Sequence, residues 1–392
     1  MLAAACAFSF LIWGMVGLAI GALLPAAVST FSLSPIQGGM IFVFWSLGFS
    51  LGSLAAQRLL NVVGAARLLL AGSACAGLSC WLQSDAQSYA TFLTVFTGLG
   101  SFGGVVFTAS HTLFGGLFRR RRASALAMLD LVFSIGNMSA PLVILAIARG
   151  DRPWQSFFVW TGCGFALAAV LFATAAAGRS TRSPASPATE PGPVSEQPPW
   201  RAPRFALLSL ASFGLGATEW SQNVWFVTSA LDRGLSPATA DIAQSLFTAG
   251  MILSRLCTIA LGERRPPDGF IVVLLSLSGL GAAITASAST SGLIVAGNIM
   301  LGAGLGAIFP VFLARAIDRS PGSAATCSTI MVVSLTLGGQ AASLILGAAI
   351  ARVGMSSAFA LVMVFAALMI AGFEAYRRAT ADTWRRPSSV GP

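Results

Sequence analysis

The sequence SFGLGATEWSQNVWFVTSAL at residues 212–231 combines the length of a membrane span with a group of polar side chains at its centre. About 20 mostly apolar residues suffice for a helix to cross the hydrocarbon core of a bilayer. A carboxylate such as Glu219 is costly at that depth, and an ionisable residue kept there is interpreted first as a functional group. We therefore expect the rest of the chain to be a membrane protein that uses this acid.

The composition of the whole chain predicts a polytopic all-α membrane protein. Of 392 residues, 56% are hydrophobic and 9% are charged, and the mean hydropathy is +0.81. Soluble domains carry about 25% charged residues. The net charge is +10, but all 23 basic residues are arginines and most lie in short gaps between apolar segments. This placement is typical of charges that set membrane topology, so no nucleic-acid partner is expected.

The template of a spanning helix fits the sequence twelve times, with polar or charged residues in the gaps. The predicted spans are 3–29, 38–60, 66–84, 88–116, 122–148, 154–177, 205–231, 237–261, 269–289, 291–315, 323–350 and 354–375.

A polar segment divides these spans into two sets of six. Residues 179–203 are rich in Pro, Ser and Thr and have no apolar periodicity, which predicts a disordered cytoplasmic linker. It would join an N-terminal six-helix bundle (1–178) to a C-terminal one (204–376), followed by a cytoplasmic tail (377–392). All but four of the arginines fall in gaps on the side of the linker, which predicts that both termini are cytoplasmic.

The two halves share short sequence elements at an offset of 202–204 residues. Residues 33–35 (LSP) recur as 235–237, and residues 98–100 (GLG) are similar to 302–304 (GAG). Six helices separate the copies, so both have the same orientation in the membrane. Parallel repeats of this kind hold a substrate between the halves near the bilayer midplane and give access to each side in turn.

Six plus six helices around a polar linker resemble the major facilitator superfamily over essentially the whole chain. The family's signature between helices 2 and 3 is a Gly-rich helix end followed by Asp-Arg-x-Gly-Arg-Arg. Gly52, Gly64 and Arg67 match it here, whereas Asn61 stands in place of the Asp. The resemblance implies that these residues form a cytoplasmic latch, weakened by the neutral Asn61.

Further segments complete the resemblance. Glu263 and Arg264 are similar to the ionic part of the same latch in the second half. Residues 122–126, which lead to Gly136 and Pro141, look like the branch of sugar–proton symporters related to fucose permease. The same branch is resembled at residues 216–219, at residues 234–240 and at Arg255. The resemblance adds Arg255 to the predicted gating residues. Resemblance to this branch implies the fold of the major facilitator superfamily (MFS) and proton-coupled uptake.

The candidate site is centred on Glu219, whose predicted role is to carry a proton. Gln222 and Asn223 follow at three and four residues, the spacing that places side chains on one helix face. Their amides suit the hydroxyl or amide groups of a substrate. Trp220 is interpreted either as a ring that stacks on a sugar or as an aromatic anchor at the membrane interface.

Other polar residues in the apolar spans are further candidates. Asp130 is interpreted as a second coupling carboxylate or as the partner of an arginine such as Arg255 or Arg315. His111 is interpreted as a proton relay or as a packing residue. The remaining candidates line the substrate cavity or connect helices. They are Asn137, Asn298, Gln340 and Trp13.

The resulting prediction is a secondary transporter that takes up a small polar solute, such as a sugar, together with protons by alternating access. The alternative is a proton antiporter that exports a lipophilic or amphipathic compound, because residues 136–141 resemble an exporter motif. A membrane enzyme or flippase is the third class, and no His/Asp/Glu cluster with ligand spacing supports it.

The expected partners are a small-molecule substrate, protons and the lipid bilayer. No metal or cofactor is expected, because the six cysteines are scattered and only one histidine is present. The protein is expected to be a monomeric multi-pass protein of the bacterial cytoplasmic (inner) membrane.

Overall fold

In a computed structural model the chain is mainly helical over the residues described, which are 1–118, 122–150, 152–177, 203–260, 268–319 and 324–381. These residues contain no β-strand. The helices are α1 (Leu2–Phe31), α2 (Pro35–Val63), α3 (Ala65–Ser84), α4 (Tyr89–Leu117), α5 (Arg122–Arg149), α6 (Ser156–Ala177), α7 (Pro203–Asp232), α8 (Pro237–Ala260), α9 (Asp268–Ser287), α10 (Ser291–Leu305), α11 (Ile308–Arg319), α12 (Ala324–Val353), α13 (Met355–Phe359) and α14 (Leu361–Ala381).

The prediction of twelve helical spans is confirmed when each of two broken pairs, α10 with α11 and α13 with α14, is counted as one span. Ten of the twelve are long and apolar enough to cross a membrane. The other two are α7 and α8, which have 30 and 24 residues and are therefore long enough but more polar. These two helices carry Glu219 and Arg255, so the departure from a purely apolar span coincides with the candidate site.

The starts of α2 and α8 show the sequence repeat in the structure. The Ser34 hydroxyl accepts a hydrogen bond from the backbone N–H of Gln37 at 3.3 Å, and Gln37 caps the Ser34 N–H in return. The Ser236 hydroxyl accepts from the Thr239 N–H at 3.2 Å in the same way. Each serine precedes a proline at the first helical position, where the missing N–H costs nothing. The capping box explains why α2 begins at Pro35 and not at 38.

The latch glycine Gly64 connects α2 to α3 as a single residue. Its backbone has φ 83°, a conformation that a residue with a Cβ rarely adopts, and its N–H caps the Leu60 carbonyl at 3.1 Å. The turn therefore requires glycine on conformational grounds alone. Whether Gly64 also serves gating stays a prediction.

The described residues form two compact units, and the first contains α1–α6 together with residues 223–248. Within it α1 packs on α5, α2 on α4, and α3 on α4 and α6. The α2–α4 contact is close because glycines face backbone carbonyls. A Cβ at Gly52 would overlap the Ser101 carbonyl, and one at Gly104 would overlap the Phe49 carbonyl. Small residues at helix crossings are the usual means of close packing in membranes.

This contact predicts that Gly52→Ala destabilises the protein although alanine is the better helix former. The added methyl meets backbone, which cannot move aside easily, so we expect a loss of about 1–3 kcal/mol. The matched control is Gly98→Ala in α4, because a Cβ there has open space within 4 Å. The control should keep or slightly raise the melting temperature. The melting temperatures of both variants in detergent test this, and equal values would contradict the packing account.

The second unit contains residues 203–222 of α7, residues 249–260 of α8, and α9–α14. Here α9 packs on α10 and α14. The segment of α7 packs on α12 through Gly216 and Gly338, each of which faces a carbonyl of the other helix. The predicted domain boundaries at 178 and 204 stay a prediction, because residues 178–202 lie outside the described part.

Two predicted spans differ most from the observed helices. The predicted span 291–315 is interrupted between Leu305 and Ile308, where α10 ends and α11 begins. The last predicted span ended at 375, but α14 continues to Ala381. The extension is stabilised by Glu374, which forms ion pairs with Arg377 at 2.7 Å and Arg378 at 2.8 Å, three and four residues further on.

Candidate functional site

Glu219 lies in the second unit, half-buried in the middle of α7. The neighbouring hydroxyl groups form hydrogen bonds within α7, since Thr218 donates to the Gly214 carbonyl and Ser221 donates to the Ala217 carbonyl. The carboxylate lies within electrostatic reach of the Arg255 guanidinium on α8. Glu219 is therefore the group on this part of α7 that can bind and release a proton.

Arg255 connects this acid to the break between α10 and α11. Its Nε donates a hydrogen bond to the Gly306 carbonyl at 2.9 Å. In a continuous helix that carbonyl would accept from the residue four positions on, which is Pro310 and has no N–H. The arginine thus replaces the missing helical donor. The sequence signal for this arrangement, a glycine four residues before a proline, was available at 306 and 310.

An interhelical amide pair lies one turn beyond Glu219. The Gln222 Nε2 donates to the Oδ1 of Asn298 on α10, and both residues are completely buried. The Oε1 of Gln222 has no hydrogen-bond partner among the described residues. A buried acceptor without a partner is costly, so this atom is suited to a ligand that brings a donor.

Asn223 belongs to the first unit although it follows Gln222 directly. Its Oδ1 accepts from the Nε2 of Gln244 on α8 at 3.4 Å, and both side chains are buried. The sequence placed Gln222 and Asn223 on the face of Glu219 together, whereas the structure gives their amides different partners on different helices. Gln244 is a buried polar residue that sequence reasoning missed, although an amide inside a span was the available signal.

In the first unit Asp130 of α5 pairs with His111 of α4, at 3.1 Å between Oδ1 and Nε2. The other ring nitrogen, Nδ1, lies 3.0 Å from the Phe107 carbonyl. Each ring nitrogen of His111 thus lies within hydrogen-bond distance of an oxygen atom, one of a backbone carbonyl and one of the Asp130 carboxyl group. Sequence reasoning considered both residues but did not connect them.

Aromatic rings surround this pair and fill the neighbouring core. Phe10 packs edge-on against His111 at 5.3 Å between centroids. Trp13 is 1% exposed and stacks on Trp45 at 5.7 Å and on Phe49 at 6.0 Å, and these two rings also stack on each other at 6.0 Å. This places Trp13 inside the packed core of the first unit, and its role as a cavity residue stays a prediction.

The other predicted substrate residues lie on separate helices. Asn137 on α5 is half-buried, its Oδ1 has no partner in the described part of the chain, and it faces Gly17 of α1. In the second unit Trp220 packs against Gly339 of α12, directly before the half-buried Gln340. Each unit thus holds its own set of polar residues, and their common use by one substrate stays a prediction.

The predicted latch is only partly described. Gly52 packs on α4 as stated above, and Arg67 is exposed in the first turn of α3. The Asn61 side chain is not described, and Glu263 and Arg264 lie outside the described residues. The latch role of all these residues therefore stays a prediction.

The fold of the chain is similar to that of solved transporters. A bacterial homologue of the human lysosomal transporter Spinster, in an inward-facing and unoccupied conformation, matches with a TM-score of 0.73 at 16% identity, over 99% of this chain and 98% of that one. The nucleoside transporter NupG matches with a TM-score of 0.75 at 12% identity, over 97% and 98%. A variant of the peptide transporter POT in complex with sulfate matches with a TM-score of 0.76 at 16% identity, over 97% and 94%.

The sequence comparison identifies the family. No curated protein matches the chain. The model of the Major Facilitator Superfamily matches residues 2–226, which is more than half of the sequence. The all-helical fold with twelve spans and the similarity to solved transporters agree with this match. The chain belongs to the major facilitator superfamily, a family of membrane transporters.

Proposed function

We propose that the protein is a proton-coupled secondary transporter that takes up a small polar solute by alternating access. The observation that carries this proposal is the position of Glu219 in α7, one turn from the buried amide pair Gln222–Asn298. A carboxylate and a vacant amide acceptor so close together can serve a proton and a substrate in one place. We propose the bacterial inner membrane as its location, with both termini and the linker in the cytoplasm.

The proton role of Glu219 is supported by its surroundings. The acid is half-buried in a helix of a membrane protein, and the Arg255 guanidinium lies within electrostatic reach of it. An ionised carboxylate attracts that guanidinium more strongly than a protonated one, and the same guanidinium donates to the Gly306 carbonyl. Protonation of Glu219 thereby changes the forces on the α10–α11 break, which is a physical route from proton binding to helix movement.

The substrate class is inferred from the amides. Gln222 offers an acceptor without a partner, and the predicted residues Asn137 and Gln340 add amide groups in spanning helices. Such groups suit hydroxyls and amides, which occur in sugars, nucleosides and peptides. Two of the similar structures are a nucleoside and a peptide transporter, and the resemblance to the fucose permease branch supports a sugar.

The pair His111–Asp130 supports a second coupling site in the first unit. The two ring nitrogens of His111 lie within hydrogen-bond distance of the Phe107 carbonyl and of the ionisable Asp130 side chain. Histidine is also the side chain whose charge changes most readily near neutral pH. We propose that this pair holds a proton during the cycle and that Glu219 exchanges one with the substrate site.

The experiment that tests the function begins with a thermal-shift screen of sugars, nucleosides, dipeptides and amino acids on the purified protein. The compound that raises the melting temperature most is then used, radiolabelled, in proteoliposomes. We expect its uptake to rise at least tenfold when the outside is made acidic and to fall to the basal rate with a protonophore. If the rate of uptake does not depend on the pH gradient, proton coupling is wrong.

The alternative, an antiporter that expels a lipophilic or amphipathic compound, is favoured by the aromatic core of the first unit. Trp13, Trp45 and Phe49 stack there, and Gly136 of the exporter-like segment forms the close α1–α5 contact at the Leu11 carbonyl. The direction of proton movement separates the two functions. Alkalinisation of the lumen when an exported compound is added would favour antiport.

The amide pair gives a prediction that distinguishes substrate binding from helix attachment. We expect Gln222→Leu to raise the dissociation constant of the screened substrate at least tenfold, because the vacant acceptor is removed. The loss of the interhelical hydrogen bond itself should cost only about 0.6 kcal/mol of stability. Isothermal titration and thermal unfolding measure the two effects. The control is Gln83→Leu, an equally buried glutamine of α3, which should bind normally; unaltered affinity in the Gln222 variant would assign the pair to packing.

A further inference from the structure

A cavity of about 250 Å³ lies inside the first unit, at the ends of α1, α5, α7 and α8. Most of its lining is aliphatic, from residues such as Pro25, Ile147 and Leu231. None of the residues assigned above to the proton or the substrate lines it. Three polar or aromatic side chains complete the lining: Arg152, Trp154 and Asp241.

Asp241 is the buried ionisable residue of this cavity. It lies in the first turns of α8 and is 7% exposed, and its Oδ1 has no hydrogen-bond partner among the described residues. A buried carboxylate without a partner is destabilising unless another group satisfies it. Arg152 is exposed, and its guanidinium lies 5.9 Å from the centroid of the Trp160 ring. The acid therefore faces a mostly aliphatic cavity, and among the described residues it has no ion pair, with Arg152 or with any other cation.

Trp154 adds a fixed aromatic ring to the same cavity. Its Nε1 donates a hydrogen bond to the Thr30 hydroxyl at 3.0 Å. Phe31 and Phe92 contact the indole edge-on, with centroids at 6.4 Å and 6.0 Å. The ring is thus held from two sides and has little freedom to turn away. A carboxylate and an indole in one apolar cavity are the groups that recognise organic ammonium ions.

We propose that this cavity binds a small organic amine, with its ammonium group at Asp241 and its apolar body against Trp154 and the aliphatic lining. The volume is slightly below the roughly 300–1,000 Å³ of pockets for drug-sized ligands, so the ligand is small. A metal ion does not fit, because the described residues contain no group of three side chains suited to hold one. The proposal is independent of the transported substrate.

The test compares ligands of equal shape on the purified wild-type protein. Isothermal titration is performed with 2-phenylethylamine, which is cationic at neutral pH, and with 2-phenylethanol, which is neutral. We expect the amine to bind at least tenfold more tightly than the alcohol. Equal affinities, or no measurable binding of the amine, would overturn the proposal without the use of any variant.

Variants then locate the site. Asp241→Asn should weaken amine binding at least tenfold and leave the affinity for the alcohol unchanged, whereas Asp241→Glu should retain the preference for the amine. The control Asp85→Asn changes an exposed acid at the end of α3 and should bind the amine like wild type. Normal amine binding in Asp241→Asn would overturn the proposed location.

Discussion

Glu219→Gln is expected to abolish uptake driven by a proton gradient and to spare exchange of substrate across the membrane. Glutamine keeps the size and hydrogen-bonding ability of the side chain but cannot take up a proton. Exchange requires only that the loaded site reach both sides in turn, so it should remain within about twofold of wild type, whereas gradient-driven uptake should fall to background. Proteoliposomes measure both, with labelled substrate outside and either an acidic exterior or unlabelled substrate inside.

The matched control for this experiment is Glu374→Gln. Glu374 lies near the end of α14 and forms ion pairs with Arg377 and Arg378, so the same substitution removes a carboxylate that no step of the proposed cycle uses. We expect gradient-driven uptake by the control to match wild type. Retained gradient-driven uptake in Glu219→Gln would remove this residue from the mechanism.

Asp130→Asn is expected to flatten the pH profile of transport and to lower gradient-driven uptake at least tenfold. The amide of asparagine can accept from or donate to Nε2 of His111 but does not titrate, so the variant keeps the contact and removes the ionisable carboxyl group. Initial rates of uptake between pH 5 and pH 8 test this. Asp130→Glu, which keeps a carboxylate, should retain a pH-dependent rate.

If the pair only stabilised the fold, the Asp130→Asn variant would give a different result. The Asp130 side chain is 51% exposed and that of His111 is 27% exposed, and exposed ion pairs contribute less than about 1 kcal/mol. The melting temperature of Asp130→Asn should therefore stay close to that of wild type while its pH profile changes. An unchanged profile combined with a lower melting temperature would assign the pair to stability alone.

Much of the fold was predictable from local sequence. The twelve spans follow from the length of the apolar segments, and the starts of α2 and α8 follow from Ser-Pro at 34–35 and 236–237. Glu219 was also recognisable, because a carboxylate in an apolar segment is conspicuous. These features depend on residues that are close together in the chain, so they can be recognised from a single sequence.

The partners within the site were not predictable, because they join residues far apart in the sequence. Helical spacing places Gln222 near Glu219 but says nothing of Asn298, which is 76 residues away. His111 and Asp130 are on consecutive helices, 19 residues apart, and only the packing of α4 on α5 makes them a pair. The break at Gly306 was missed for another reason: the residues around it are as apolar as those of a continuous span.

The central claim, that Glu219 couples substrate entry to proton entry, is tested most directly by the pH change that substrate causes in the absence of an imposed gradient. Substrate is added outside wild-type proteoliposomes, and the external pH is recorded with an electrode while labelled uptake is measured in parallel. We predict that the medium becomes alkaline with wild type and stays constant with Glu219→Gln. An equal pH change in both proteins, or no pH change during uptake by wild type, would contradict the account.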